Sequence, residues 1–234
     1  MTSQSDTVIV AIVLANTDGR PWVIRLDSAD GTIIRGRHGI DAMISDPALV
    51  LIDVQAQFCD PEYGYIPEAE AETIEERIES ANELVGRYRE SGRQPIFVRV
   101  VHDERATSPV WSDKYGDGPL PCAPGSDGAA FDSALDVRED DAIVTKHRYD
   151  AFHETDLEVY LSSNDVSRLL VGGIATEVCV ESTVRSAFDR DYRTTVLSDC
   201  TASADPVARE RSLERIDAKF GEVKPSTEVS LGVD

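Results

Sequence analysis

Three residues of this 234-residue chain are of types that could do chemistry together: Asp53, Lys146 and Cys179. A thiol is mostly protonated at neutral pH and must be activated before it can attack. A carboxylate can take its proton and later pass it to a leaving nitrogen, and an ammonium favours the sulfur anion by direct attraction. Asp53 interrupts the apolar run Ala48 to Val54 near its end, and Lys146 directly follows Ile143-Val144-Thr145. Cys179 lies just past Val171-Gly172-Gly173, in the predicted first turn of the next helix. With Thr176 as N-cap it would occupy the third helical position, where the helix dipole favours a thiolate. Free amides at the same helix start can bind a developing oxyanion. The pair Gly172-Gly173 is expected to let the backbone turn tightly and approach a substrate. Each residue also has an ordinary explanation: a strand-end acid bonded to loop amides, a lysine reaching for water, an inert buried thiol. Their joint position at three separate strand ends points to a site.

The elements that must position them alternate. Apolar runs over Ala48–Val54, Pro95–Val101, Ala142–Thr145, Arg168–Gly173 and Thr194–Leu197 read as strands. Helices are predicted over Glu70–Glu90, Thr155–Ser163, Glu177–Asp189 and Asp205–Phe220. In the first, Ile74, Ile78, Ala81, Val85 and Tyr88 form a buried stripe, Thr73 and Glu76 suit a capping box, and Gly92 is a stop. Ser108 to Asp132, rich in Pro, Gly and Asp, reads as one long loop, of the kind that forms lids and binding loops. Little pattern follows Gly221. Strands alternating with helices imply an α/β fold: a mostly parallel sheet with helices on both faces, which binds ligands at the carboxyl ends of its strands.

Residues 1–44 form an N-terminal extension ahead of a domain over 45–225, and 226–234 form a tail. In the extension, Val8–Ala15 and Trp22–Leu26 read as strands joined by a turn at Asp18-Gly19, with a further turn at Asp30-Gly31. Two explanations fit it equally: an added hairpin, or a start site upstream of the true one, since Met43 just precedes the first core strand.

The net charge of -21 argues against nucleic acid and anionic membrane as partners. Nothing is long and apolar enough to span a bilayer. Forty-four acidic residues beside only four lysines (Lys114, Lys146, Lys219 and Lys224) suit a salt-rich cytoplasm, where ions screen the self-repulsion. Cys59, Cys122, Cys179 and Cys200 show no CxxC pair and no disulfide pattern, as expected of thiols in a reducing, cytoplasmic compartment.

Four segments resemble one family. Leu51-Ile52-Asp53-Val54-Gln55 with Phe58-Cys59, Lys146-His147-Arg148-Tyr149-Asp150-Ala151-Phe152, Gly173-Ile174-Ala175-Thr176-Glu177-Val178-Cys179-Val180, and Asp199-Cys200-Thr201-Ala202-Ser203 are similar, in order, to motifs of the isochorismatase-like cysteine hydrolases. The resemblance covers about Pro47 to Val223. It implies a Rossmann-like three-layer α/β/α sandwich, a homo-oligomer (dimer or tetramer), and Asp53, Lys146 and Cys179 as the triad. It also implies a cis Ile174–Ala175 peptide that aims the amides of Ala175 and Cys179 at the oxyanion.

Because Cys179 is present, the resemblance favours hydrolysis of a small amide or ureido substrate through a thioester, over the vinyl-ether chemistry of cysteine-free members. Family nicotinamidases hold a metal with an Asp-x-His pair after the second strand. Here that stretch reads Val100-Val101-His102-Asp103-Glu104, and only His38, His102, His147 and His153 exist. No metal or other cofactor is therefore expected. Pro124-Gly125-Ser126 resembles the N-carbamoylsarcosine amidase and ureidoacrylate amidohydrolase branch. Phe58, Trp111, Tyr149 and Phe152 lie near the motifs and are candidates to pack a planar substrate, with ordinary core or lid packing as the equal alternative. The competing functions are a metal-dependent nicotinamidase and a catalytically silent binding protein on the same scaffold.

Overall fold

The computed structural model of the protein describes residues 46–115 and 118–231, together with the backbones of three strands nearer the amino terminus. The chain divides into two compact units, Met1–Asp41 and Ala42–Asp234. In the first, β1 (Val10–Ala15), β2 (Pro21–Leu26) and β3 (Ile33–Arg37) pair antiparallel in that order. The expected hairpin is thus extended by a third strand. Its predicted turns, Asp18-Gly19 and Asp30-Gly31, lie outside the described residues.

The second unit is built on six strands: β4 (Ala48–Ile52), β5 (Ile96–Val100), β6 (Ala142–Lys146), β7 (Arg168–Ile174), β8 (Arg193–Ala202) and β9 (Glu222–Lys224). They are parallel throughout, in the order β6-β5-β4-β7-β8-β9. The chain builds outward from β4 to β6, then returns to place β7 on the other side of β4. In such sheets a crevice opens above the carboxyl ends of the two strands where the winding reverses.

The pleat of β4 sends alternate residues to opposite faces. Leu49 and Leu51 meet the buried stripe of α2 (Ala71–Glu90), which is Ile74, Ile78, Ala81, Leu84, Val85 and Tyr88. Ala48, Val50 and Ile52 share the other core with Leu157 and Leu161 of α4 (Leu157–Ser162), Val184 and Ala187 of α5 (Glu181–Phe188), and Leu213 and Ile216 of α6 (Pro206–Lys219). Burying each such side chain contributes about 1.5–3 kcal/mol. The result is the three-layer α/β/α sandwich expected.

Several boundaries differ from the sequence reading. Helix α2 follows the short α1 (Ala56–Cys59) and begins at Ala71, directly after a 3-10 turn over Glu68–Glu70, so Thr73 already lies inside it and the expected capping box does not form. The predicted long loop contains a helix, α3 (Pro109–Tyr115), and a 3-10 turn over Asp127–Ala129. Strand β8 runs on to Ala202, past the polar residues Ser198, Asp199 and Thr201 that break its apolar pattern. After Gly221 the chain adds β9, and Ser226 of the expected tail is buried against Asp199, whose carboxylate accepts from its amide (2.7 Å) and hydroxyl (2.8 Å).

The two glycines of β7 are also explained differently. Both lie within the strand. Gly173 has φ +130°, and a Cβ there would stand 2.0 Å from the Ile52 carbonyl oxygen. A Cβ on Gly172 would stand 2.9 Å from Cys200 O and from Leu51 Cδ2. The absent side chains let β7 press against its neighbours, which brings the ends of β4 and β7 together.

Candidate active site

Asp53 leaves the end of β4 with φ +53°, in the left-handed region, while its amide donates to Val98 O at 2.8 Å. A non-glycine residue held there costs on the order of 1–3 kcal/mol, and aspartate tolerates it better than most. The carboxylate and the Lys146 side chain have no solvent exposure, and Lys146 Nζ lies 2.7 Å from Asp53 Oδ2. The same Nζ donates to the carbonyls of Arg148 (2.9 Å) and Tyr149 (3.0 Å). Two of the three protons of the ammonium thus go to carbonyls, and its remaining side is engaged by the Asp53 carboxylate as an ion pair.

Cys179 meets both partners. Its thiol interacts with the Asp53 carboxylate and with the Lys146 ammonium. It too is buried, with 8% of the residue exposed where the other two keep none. Burial raises the Asp53 pKa, and the opposing pull of Lys146 does not cancel the rise. Burial would lower that of Lys146, but the negative charge of Asp53 and of the sulfur outweighs it and holds the lysine up. Burial first, then the Asp53 carboxylate, push the Cys179 thiol up against the opposing effect of Lys146. The arrangement is therefore a thiol beside a carboxylate and an ammonium.

The turn carrying Cys179 also differs from the sequence reading. Ala175, not Thr176, is the N-cap, and Thr176–Val180 form a π-helical turn before α5. Thr176 lends its hydroxyl to Ala202 O instead (3.0 Å). The Ile174–Ala175 peptide is cis. The carbonyl of Ala175 accepts from the amides of Val178 and Val180, each at 3.2 Å, which lie on either side of Cys179 in the chain.

Of the four candidate pocket residues, Phe58, Trp111 and Tyr149 are partly buried. Trp111 and Tyr149 meet edge to face at 4.8 Å between centroids, and Phe58 packs edge to face on Tyr65 at 5.2 Å. Phe152 does not join them. It is 4% exposed, stacks on Tyr192 at 5.7 Å and belongs to the core beneath α4 and α5. Tyr149 is partly buried at the edge of that same core while Phe152 lies inside it, so sequence proximity to Lys146 misplaced Phe152.

Three further residues escaped the sequence reading. Tyr65 and Tyr115 both feel the charges of Cys179 and Asp53, and burial raises their phenol pKa values. Tyr115 sits one helical turn after Trp111 on α3, a spacing that puts both on one face and was available in the sequence. Gln55 is fully buried and bridges strands: Oε1 accepts from Val100 N (2.8 Å), and Nε2 donates to Val100 O (3.0 Å) and Ala129 O (2.9 Å). It ties the end of β4 to the end of β5, over which Lys146 must reach. His102, beside the metal position considered from sequence, packs on Trp111 and Tyr115 with Nε2 3.2 Å from the Tyr115 hydroxyl. Asp103 instead pairs with Arg105 at 2.5 Å. Among the described residues no group of three or more His, Cys, Asp or Glu side chains could hold a metal.

Residues 47–228 match the model of the isochorismatase domain. The chain belongs to the isochorismatase family. Among isochorismatase-family relatives, the ureidoacrylate amidohydrolase RutB of Methylobacterium radiotolerans is 30% identical over 262 aligned residues, covering 92% of this chain and 95% of that one. A cysteine hydrolase from Pseudomonas syringae pv. phaseolicola superposes with a TM-score of 0.69 at 28% identity, covering 81% of this chain and 93% of that structure. The N-carbamoylsarcosine amidase of Thermoplasma acidophilum shares the fold, with a TM-score of 0.66 at 24% identity over 79% of this chain and 99% of its own. The protein is accordingly a hydrolase of the isochorismatase family with the α/β sandwich of that family. Among the described residues no helix is long and apolar enough to cross a membrane.

Proposed function

We propose that the protein is a cysteine hydrolase that cleaves an amide or carbamoyl C–N bond of a small molecule through a thioester on Cys179. The supporting observation is the convergence of a buried carboxylate, a buried ammonium and a thiol at the ends of β4, β6 and β7. As the Cys179 sulfur bonds to the substrate carbonyl carbon, its proton passes to Asp53. The carbonyl oxygen gains negative charge and rests on the amides of Ala175 and Cys179. The C–N bond then breaks, Asp53 returns the proton to the departing amine or ammonia, and a thioester remains. Water attacks this thioester with Asp53 taking its proton. The acid product leaves as the sulfur regains a proton. Lys146 keeps its charge throughout, steadying sulfur and carboxylate in turn. A raised carboxyl pKa suits Asp53 to both halves of this cycle, because a base poised nearer neutrality gives its proton back more readily.

The names of relatives steer the substrate toward ureido compounds, such as the ureidoacrylate of RutB. Phe58, Trp111 and Tyr149 are the residues we assign to its apolar wall. Four free cysteines are in keeping with a cytoplasmic protein, and we expect a homo-oligomer, which sedimentation would check.

A screen of small amides, ureido acids and nicotinamide for ammonia release tests the activity. Mass spectrometry of quenched turnover should find an acyl adduct on Cys179. Turnover undiminished in Cys179→Ala would sink the proposal.

A further inference from the structure

The wall of the site carries positive charge in a molecule that is otherwise strongly acidic. With 23 basic against 44 acidic residues, cations here find partners easily: Arg89, Arg105, Arg168, Arg185, Arg190 and Arg215 each meet a carboxylate. Lys114 and Arg148 do not. Lys114, in the last turn of α3, donates to the Tyr149 hydroxyl and lies 5.0 Å from the Tyr149 ring and 5.9 Å from that of Tyr115. Arg148 is fixed by its bonds to the carbonyls of His147 (2.7 Å) and Ala106 (3.1 Å), with its guanidinium carbon 5.3 Å from the Trp111 ring centroid. Among the described residues neither comes within ion-pair distance of an acid. Asp103, from the adjoining turn, is taken by Arg105.

Both cations flank the same ring pair, Trp111 and Tyr149, and the Tyr149 carbonyl accepts a proton from Lys146. Their field is felt in the wall. Burial first, and then Lys146, His147, Arg148 and Lys114, push the His102 pKa down to about 4. Lys146 is engaged by two carbonyls and by the Asp53 carboxylate, so it has no free side to offer a second anion. Arg148 and Lys114 are left as the positive groups available to one.

We propose that Lys114 and Arg148 bind a carboxylate of the substrate, so that the site selects small ureido or amido acids over neutral amides. The inference rests on the hydrolase reading above and adds the charge of the substrate and the residues that read it. Charged hydrogen bonds next to aromatic faces are stronger than the same bonds in open water. They would also offset locally the repulsion that a net charge of -21 imposes on an arriving anion.

The test compares a short ureido acid with the analogue whose carboxylate is replaced by hydroxymethyl, both assayed for ammonia release. The wild type should favour the acid in kcat/KM by roughly tenfold or more, a preference that weakens with added salt. Lys114→Met should lower that preference by roughly tenfold, chiefly through KM, and Lys114→Glu should lower it further. Arg148→Lys should retain more of it than Arg148→Met. Lys114 is exposed, so its variants test the idea even if those of Arg148 fold poorly. A wild type that treats the two compounds alike, or a preference that survives Lys114→Glu, overturns the assignment while leaving the hydrolase intact. Silence toward every amide tested would remove the hydrolase reading and this proposal with it.

Discussion

Asp53 and Glu181 are both carboxylates buried beside cationic partners, and the sandwich treats them in opposite ways. Glu181, at the start of α5, is held by Arg185 (2.8 Å), by Arg215 (2.6 Å) and by the Ser212 hydroxyl (2.6 Å). Burial alone would raise its pKa, but these bonds outweigh burial and hold it below the usual range for a glutamate. Asp53 has one cation at 2.7 Å, and neither of its oxygens has a partner with full hydrogen-bond geometry, so burial prevails and its pKa rises. A carboxylate supplied with every bond it can accept pins two helices together. One left short of partners keeps the ability to exchange a proton. The contrast lies in depth of burial together with hydrogen-bond supply, since Asp53 is fully enclosed while Glu181 keeps an edge toward solvent.

If that contrast is right, substitutions at the two centres should have opposite signatures. The largest effect belongs to Asp53→Asn, which keeps shape and removes the base. Activity should fall by roughly 10²–10⁴-fold, with thermal stability unchanged or raised, as read by ammonia release and calorimetry. Loss of stability to match the loss of activity would make Asp53 a second structural acid. Next comes Lys146→Met, which strands a buried carboxylate. It should lower turnover by a smaller factor and cost about 3–5 kcal/mol, and the cost should shrink when Asp53→Asn is added. Purely additive losses in denaturant melts would argue against coupling. Glu181→Gln, by contrast, should cost about 1–3 kcal/mol while the folded fraction keeps its kcat.

The smallest effect is the pH dependence, and its sign separates the two acids. A lowered native pKa means that Glu181 contributes stability above its unfolded pKa, lost as pH falls through the native value. A raised native pKa means that the folded state holds the Asp53 proton longer than the unfolded state does. Stability then declines as pH rises from the unfolded value through the native one. Melting temperatures from about pH 3 to pH 7 should climb less steeply in Glu181→Gln than in wild type, and more steeply in Asp53→Asn. Identical slopes in both variants would erase the distinction.

Most of the sheet was legible because fully buried parallel strands are written as unbroken apolar runs, as in Ala48 to Ile52. Strand β9 was not, because Glu222-Val223-Lys224 has one apolar residue and an edge strand needs no more. Helix α3 was hidden by a composition that reads as loop, though Trp111 and Tyr115 share its inner face against His102. The meeting of Asp53, Lys146 and Cys179 could be anticipated because a polar residue ending an apolar strand has few places to go. The π-helical turn at Thr176–Val180 could not, since the choice of Ala175 as N-cap depends on Thr176 finding Ala202 across the sheet. Phe152 shows the limit of neighbourhood in sequence: three residues beyond Tyr149, it is buried in the core and stacks on Tyr192.

Gln55 behaves like a borrowed stretch of main chain. Its side-chain amide offers Val100 one donor and one acceptor, as a neighbouring strand residue would, after β4 itself has ended. A glutamate in its place would match the size but turn the donor into a second acceptor facing the carbonyls of Val100 and Ala129. Resemblance of shape is thus no protection at this position. What is passed on there is the direction of two dipoles, and swapping one terminal atom suffices to reverse one of them.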